Sequence, residues 1–116
     1  PKSGTTWLQM IMYQLCSDGK MNFNHIHEVC PYLERIDKQT DLSNEFTNRR
    51  IITTHLQYGK LPKSKSKYIY VARNPFDVLT SLYHHSTNFG YTGSFEDSLN
   101  LYFKDRYAGG RWGKHI

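Results

Sequence analysis

Pro1-Lys2-Ser3-Gly4-Thr5-Thr6-Trp7 opens the chain and decides how the rest of it is read. A tight turn of small residues runs straight into a stretch where Leu8, Ile11, Met12 and Leu15 recur at i, i+3, i+4 and i+7. That spacing predicts a helix with one apolar face, and Gly19 after Asp18 predicts its end. A turn of this kind aims backbone N–H groups and the positive end of a helix dipole at one point, an arrangement that binds phosphate. Lys2 adds a cation within reach of the same anion, and Trp7 offers a flat face for a base. The pattern is not G-x-x-x-x-G-K-[ST], because the lysine precedes the glycine and no hydroxyl is specified for magnesium. Read alone, the stretch serves equally well as a helix start capped by Ser3 or Thr5, with Lys2 a surface charge.

Two later segments predict strands. Arg50-Ile51-Ile52-Thr53-Thr54-His55 is rich in β-branched residues and ends at a histidine. Tyr68-Ile69-Tyr70-Val71-Ala72 is nearly continuous in apolar character, as a strand buried on both faces is. Arg73-Asn74-Pro75-Phe76-Asp77 then predicts a helix start. Asn74 is a good N-cap, Pro75 suits the first helical position and Asp77 complements the dipole. This helix continues through Val78, Leu79 and Leu82 towards His85. Another begins near Ser94 with Phe95, Leu99, Tyr102 and Phe103 on one face, and Gly109-Gly110 closes it. Residues 20 to 48 are polar and mixed, with a short helix expected around Pro31 to Ile36. Helices alternating with buried strands predict an α/β fold, a P-loop-like parallel sheet flanked by helices. Ligands of such sheets bind beyond the carboxyl ends of the strands. The opening loop, His55 and Arg73 would share that edge.

The chain has 116 residues, 38% of them apolar, enough for one domain at most. It begins inside a motif, without a methionine and without the strand that normally feeds a phosphate loop. It therefore reads as a partial domain, an internal piece whose apolar edge is left uncovered. Lys and Arg number 15 against 10 acidic residues, and the resulting +5 favours anionic ligands. Lys60, Lys63, Lys65 and Lys67 crowd a solvated loop without the interleaved aromatic or Arg partners of a nucleic-acid patch. No apolar run approaches the ~20 residues of a membrane span, and no secretory signal pattern is visible. Cys16 and Cys30 fit no metal or redox spacing and read as reduced thiols of an intracellular protein. His25-Ile26-His27 lacks a third ligand and reads as a solvated loop, so no metal is expected.

In combination these motifs become specific. Pro1 to Trp7 resembles the 5′-phosphosulfate loop of the cytosolic sulfotransferase family. Arg73-Asn74-Pro75-Phe76-Asp77-Val78, with Ser81, Tyr83 and His84, resembles that family's 3′-phosphate motif. Thr54-His55-Leu56 is similar to the segment carrying its catalytic histidine, and Gly110-Arg111-Trp112-Gly113-Lys114-His115 also has a family shape. Order and separation match along essentially the whole chain.

The resemblance implies a cytoplasmic enzyme moving a sulfuryl group from 3′-phosphoadenosine 5′-phosphosulfate to a hydroxyl or amine of a small acceptor. The acceptor classes it allows are phenols, alcohols, sterols and amines. By the same resemblance Lys2, Ser3, Gly4, Thr5 and Thr6 hold the 5′-phosphosulfate, Trp7 stacks on adenine, and Arg73 with Ser81 holds the 3′-phosphate. His55 is the general base, Lys2 stabilises the departing charge and Tyr32, within Pro31-Tyr32-Leu33-Glu34, walls the acceptor pocket. One departure bears on catalysis: Thr54 stands where the family usually has a lysine. Phe76, where a charged or small residue is common, is a harmless one. On this reading residues 1–116 are a domain fragment lacking the strand before Pro1 and the C-terminal half, weakly active or inactive alone. The alternative is a non-catalytic nucleotide-binding module, a degenerate or truncated member. An atypical small-molecule kinase and a basic nucleic-acid binder are the remaining readings.

Overall fold

The computed structural model describes residues 2–37, 49–106 and 113. The chain divides into two compact units. One runs from Gly4 to Thr54, and the other joins Lys2 and Ser3 to the chain from His55 onward.

In the first unit the expected opening helix forms as α1, Thr5–Cys16. The face it buries differs from the expected one. Gln9 and Tyr13 are its buried residues, while Leu8, Ile11 and Met12 are half-buried and Leu15 is 72% exposed. The cause is the neighbour: helix α2, Ile26–Val29, packs against α1 and selects the stripe it covers. Gln9 Nε2 donates to the Cys30 carbonyl at 2.9 Å, tying the end of α2 to α1. Tyr13 meets the edge of Phe23 at 5.1 Å between ring centroids. Tyr13, Ile26 and Cys30 form the core, flanked by Met10, Phe23, Val29 and Ile51. The short helix expected near residues 31–36 is a 3-10 turn, Leu33–Arg35.

In the second unit helix α3, Pro75–Asn88, starts as its sequence requires. Asn74 Oδ1 accepts from the Phe76 N–H at 2.9 Å, with Pro75 in the first turn. Val78 and Leu82 are buried. Helix α4, Phe95–Phe103, packs on α3, and Tyr83 meets the edge of Phe95 at 5.4 Å. The α4 face is narrower than expected: Tyr102 and Ser98 are buried and Phe103 is exposed. The helix stops before Gly109-Gly110, which lie outside the described residues.

The three long helices among the described residues end in one way. The sixth N–H closes back on the first carbonyl, from Gly19 to Gln14, Tyr91 to Ser86 and Arg106 to Leu101. The left-handed residue before the closing N–H is Gly90 (φ 90) in α3, but Asp18 (φ 50) in α1 and Asp105 (φ 60) in α4. Aspartate tolerates that region better than most residues, so the α4 stop carries no glycine at this position, and the Gly19 that signals the end of α1 follows the left-handed Asp18.

Among the described residues no strand ladder forms. The segment around Thr53 makes a single parallel bridge with Tyr32: Thr53 N–H donates to the Pro31 carbonyl at 2.9 Å, and Leu33 N–H to the Thr53 carbonyl at 2.7 Å. Tyr68, Ile69 and Tyr70, expected in a buried strand, are 52%, 59% and 60% exposed. A strand is buried by its neighbours, and no described segment pairs with this one. The Tyr68 hydroxyl instead donates to the Pro62 carbonyl at 2.9 Å and lies 3.0 Å from Ser64 Oγ. Those bonds fold the exposed lysine-rich loop back on itself. No helix among the described residues is long and apolar enough to cross a membrane.

Candidate functional site

The opening loop takes two left-handed positions, Lys2 at φ 60 and Gly4 at φ 104. At Gly4 the conformation itself demands glycine, since a Cβ there meets nothing within 4 Å. Gly4 is the N-cap of α1 and no side chain caps the helix, so neither Ser3 nor Thr5 takes the capping role open to it. The first-turn N–H groups of a helix have no intrahelical partner. Uncapped by side chains and preceded by a lysine, this helix start has the donor chemistry an anionic group requires. Thr5 is half-buried, Thr6 is exposed and Trp7 is 73% exposed, leaving its ring face open.

Arg73 reaches the same loop from far along the chain. Its Nη1 donates to the Lys2 carbonyl at 3.4 Å, across 71 residues, so the guanidinium of one sequence motif meets the backbone of the other within one unit. Its Nε also lies 3.7 Å from Asp77 Oδ2, an exposed pair one helical turn apart. Such pairs are worth about 0–1 kcal/mol, so Asp77 restrains the guanidinium only weakly. Asp77 was expected to serve the helix dipole alone; its i, i+4 spacing from Arg73 is the signal for the pairing. Ser81 lies on α3, half-buried, two turns beyond Arg73.

His55 is half-buried and belongs to the same unit as Lys2, Arg73 and Ser81. Thr54 belongs to the other unit, and its hydroxyl donates to Glu34 Oε1 at 3.1 Å. Glu34 carried no expected role, and nothing in its spacing from Thr54 announces one.

Within Gly4–Thr54, Tyr32 sits in a column of rings. His25 and His27 lie 4.6 Å apart between centroids, His27 and Tyr32 4.6 Å, and the Arg35 guanidinium carbon is 5.6 Å over the Tyr32 ring. His25-Ile26-His27 is therefore no solvated loop. His25 caps α2, its Nδ1 accepting from the His27 N–H at 3.2 Å, and Glu28 returns the bond by accepting from the His25 N–H at 3.2 Å. The glutamate three residues after the cap is the sequence signature of this box. Burial, then His25, then Arg35 hold the His27 imidazole below its ordinary pKa. Burial raises the Tyr32 phenol. Among the described residues no group of three potential metal ligands gathers. Cys16 and Cys30 are free thiols, and burial pushes Cys30 up to about 11, an inert position.

The whole chain, residues 1–116, matches the family described as "Sulfotransferase domain". Sulfotransferase 4A1 of Mus musculus is 36% identical, covering 100% of this chain and 44% of the relative. The amine sulfotransferase of Oryctolagus cuniculus is 32% identical over 100% of this chain and 42% of its own length. Sulfotransferase 1B1 of Mus musculus is 38% identical over 100% and 44%. No solved structure matches the chain. The chain thus spans less than half the length of these curated relatives. With a family match from first residue to last, and both cofactor-type motifs carried on the loop and helix just described, this chain belongs to the sulfotransferase family.

Proposed function

We propose that this chain is the donor-binding part of a sulfotransferase that uses 3′-phosphoadenosine 5′-phosphosulfate, on a P-loop-like parallel sheet flanked by helices. The observation carrying the reading is the Arg73–Lys2 bond of 3.4 Å, which sets the cation of one motif against the backbone of the other. When bound, the donor supplies the sulfuryl group and a phosphate as leaving group.

The chain's own residues then divide the work. The N–H groups of the Ser3–Thr6 turn, the Thr5 and Thr6 hydroxyls and the Lys2 ammonium hold negative charge at the 5′ end. Donors already aimed at developing charge need no reorganisation, and each is worth about 3–4 kcal/mol in favourable cases. Arg73, a planar fork of five N–H donors, and the Ser81 hydroxyl hold a 3′-phosphate, the group that distinguishes this donor from ATP. Trp7 stacks on the base. His55 takes the proton from the acceptor hydroxyl, a contribution of roughly 10²–10⁴-fold. Tyr32 walls the site of a small acceptor, a phenol, alcohol, sterol or amine; one relative is named for amines. The protein works in the cytoplasm, without nucleic acid, membrane or metal.

A second reading rests on Thr54, whose hydroxyl is bonded to Glu34 where the family usually offers a lysine. It makes the chain a nucleotide-binding module without turnover. One experiment separates the two. The full-length protein is titrated calorimetrically with 3′-phosphoadenosine 5′-phosphate and assayed with the sulfate donor over a panel of phenols, alcohols and amines, with ATP and magnesium as comparator. Binding with sulfated product supports the enzyme, and binding without product supports the module. Turnover with ATP alone overturns both.

A further inference from the structure

The ring column against Tyr32 has a chemistry of its own that the donor site does not use. His27 is the middle member, with His25 on one side and Tyr32 on the other, each 4.6 Å away. Its Nδ1 is buried and has no hydrogen-bond partner among the described residues. Its backbone N–H is spent on His25 Nδ1, so the His25 ring must be unprotonated at that nitrogen for the cap to exist. Tyr32 is fixed from below by the bridge to Thr53 and flanked by the Arg35 guanidinium. Three potential cations, His25, His27 and Arg35, therefore line one column, and only Arg35 is always charged.

We propose that His27 is a positioning residue for Tyr32, holding the phenol ring in place only while its own imidazole is uncharged, so that the acceptor wall loosens on acidification. The inference rests on the proposed reading of Tyr32 as part of the acceptor site. The titratable and charged groups that meet His27 are His25, the N-cap of α2, and Tyr32, each stacked on its ring, with Arg35 of the 3-10 turn over Tyr32. Of these, His25 and Arg35 oppose a proton on His27, as burial does. A proton on His27 sets a cation between His25 and the Tyr32–Arg35 pair. That event acts on the stacking contact between His27 and Tyr32.

Two measurements test this. In steady-state assays of the full-length protein, His27→Ala raises the acceptor KM about two- to tenfold, the worth of an aromatic pair, with the donor KM unchanged. His27→Phe keeps a ring in the column without a proton site. It restores the neutral-pH acceptor KM and abolishes the rise that wild type shows between pH 7.5 and 5.5. Independently of any turnover, the Tyr32 ring resonances of wild type titrate below the ordinary histidine range and those of His27→Phe do not. Tyr32 resonances that ignore pH in wild type, or that titrate identically in His27→Phe, overturn the positioning role. If Tyr32 titrates as stated while no acceptor is sulfated, the positioning stands and the sulfotransferase reading fails.

Discussion

His55 carries the proton transfer of the proposed reaction, and its neighbours set what its loss should do. It shares a unit with Lys2 and Arg73, and the proposed reading gives the phosphate contacts to those residues and Ser81 rather than to the histidine. His55→Ala should therefore abolish sulfated product while leaving the affinity for 3′-phosphoadenosine 5′-phosphate within about twofold, the scatter of a mutation that removes no ligand contact. A large loss of affinity in calorimetry would reassign His55 to structure. Residue roles at this scale were readable where a local motif fixed them, as in the Asn74 cap of α3. They were unreadable where a partner lies far away in sequence. The Thr54–Glu34 bond spans 20 residues and the Gln9–Cys30 bond 21, and neither spacing belongs to a helix or a turn.

Elements were legible through their ends. Asn74-Pro75 predicted the start of α3 to the residue, and Asn74 Oδ1 makes the capping bond. Asn74→Ala should cost about 1 kcal/mol of stability, read from the denaturation midpoint at unchanged m-value. An unchanged midpoint would mean that α3 is held by its contacts with α4 alone. Helix α4 has a different device: Ser94 Oγ accepts from the Asp97 N–H at 3.1 Å, while Asp97 Oδ2 accepts from Ser94 N–H at 3.0 Å and from Ser94 Oγ at 2.6 Å. The Ser94 bonds hold the Asp97 carboxyl below its ordinary value. A depressed carboxylate contributes its stability above the unfolded-state pKa and loses it as pH falls through the lowered folded-state value. The backbone resonances of Phe95–Ser98 should titrate with a midpoint below the ordinary carboxylate value, and Ser94→Ala should return it upward; an ordinary midpoint in wild type would remove the box. The faces of the helices were less legible than their ends. Leu8, Ile11, Met12 and Leu15 mark a face that can be buried, but α2 covers the Gln9–Tyr13 stripe instead.

For the whole molecule, the decisive quantity is apolar surface in the open. Tyr68, Ile69 and Tyr70 have the composition of a strand buried on both faces, yet all three are exposed. Composition reports what a segment can bury, and pairing depends on neighbours the segment cannot specify. The sheet of the expected α/β fold was thus legible as a pattern, with only the parallel Tyr32–Thr53 bridge formed among the described residues. The 116-residue chain alone should therefore enhance the fluorescence of an apolar dye, and Ile69→Lys should reduce that enhancement without lowering helix content. Dye binding that ignores the substitution would place the sticky surface elsewhere. The +5 charge should also make nucleotide affinity fall with salt.

The account turns on a single juxtaposition, a lysine and an arginine separated by most of the chain serving one doubly phosphorylated nucleotide. Calorimetric titration of the full-length protein with 3′-phosphoadenosine 5′-phosphate and with its analogue lacking the 3′-phosphate tests it most directly, on wild type, Lys2→Ala and Arg73→Ala. The predicted result is weaker binding of the first ligand in both variants, by about 1.5–3 kcal/mol for Arg73→Ala, with the analogue insensitive to Arg73. Equal losses for both ligands in Arg73→Ala, or affinities indifferent to Lys2, would contradict it.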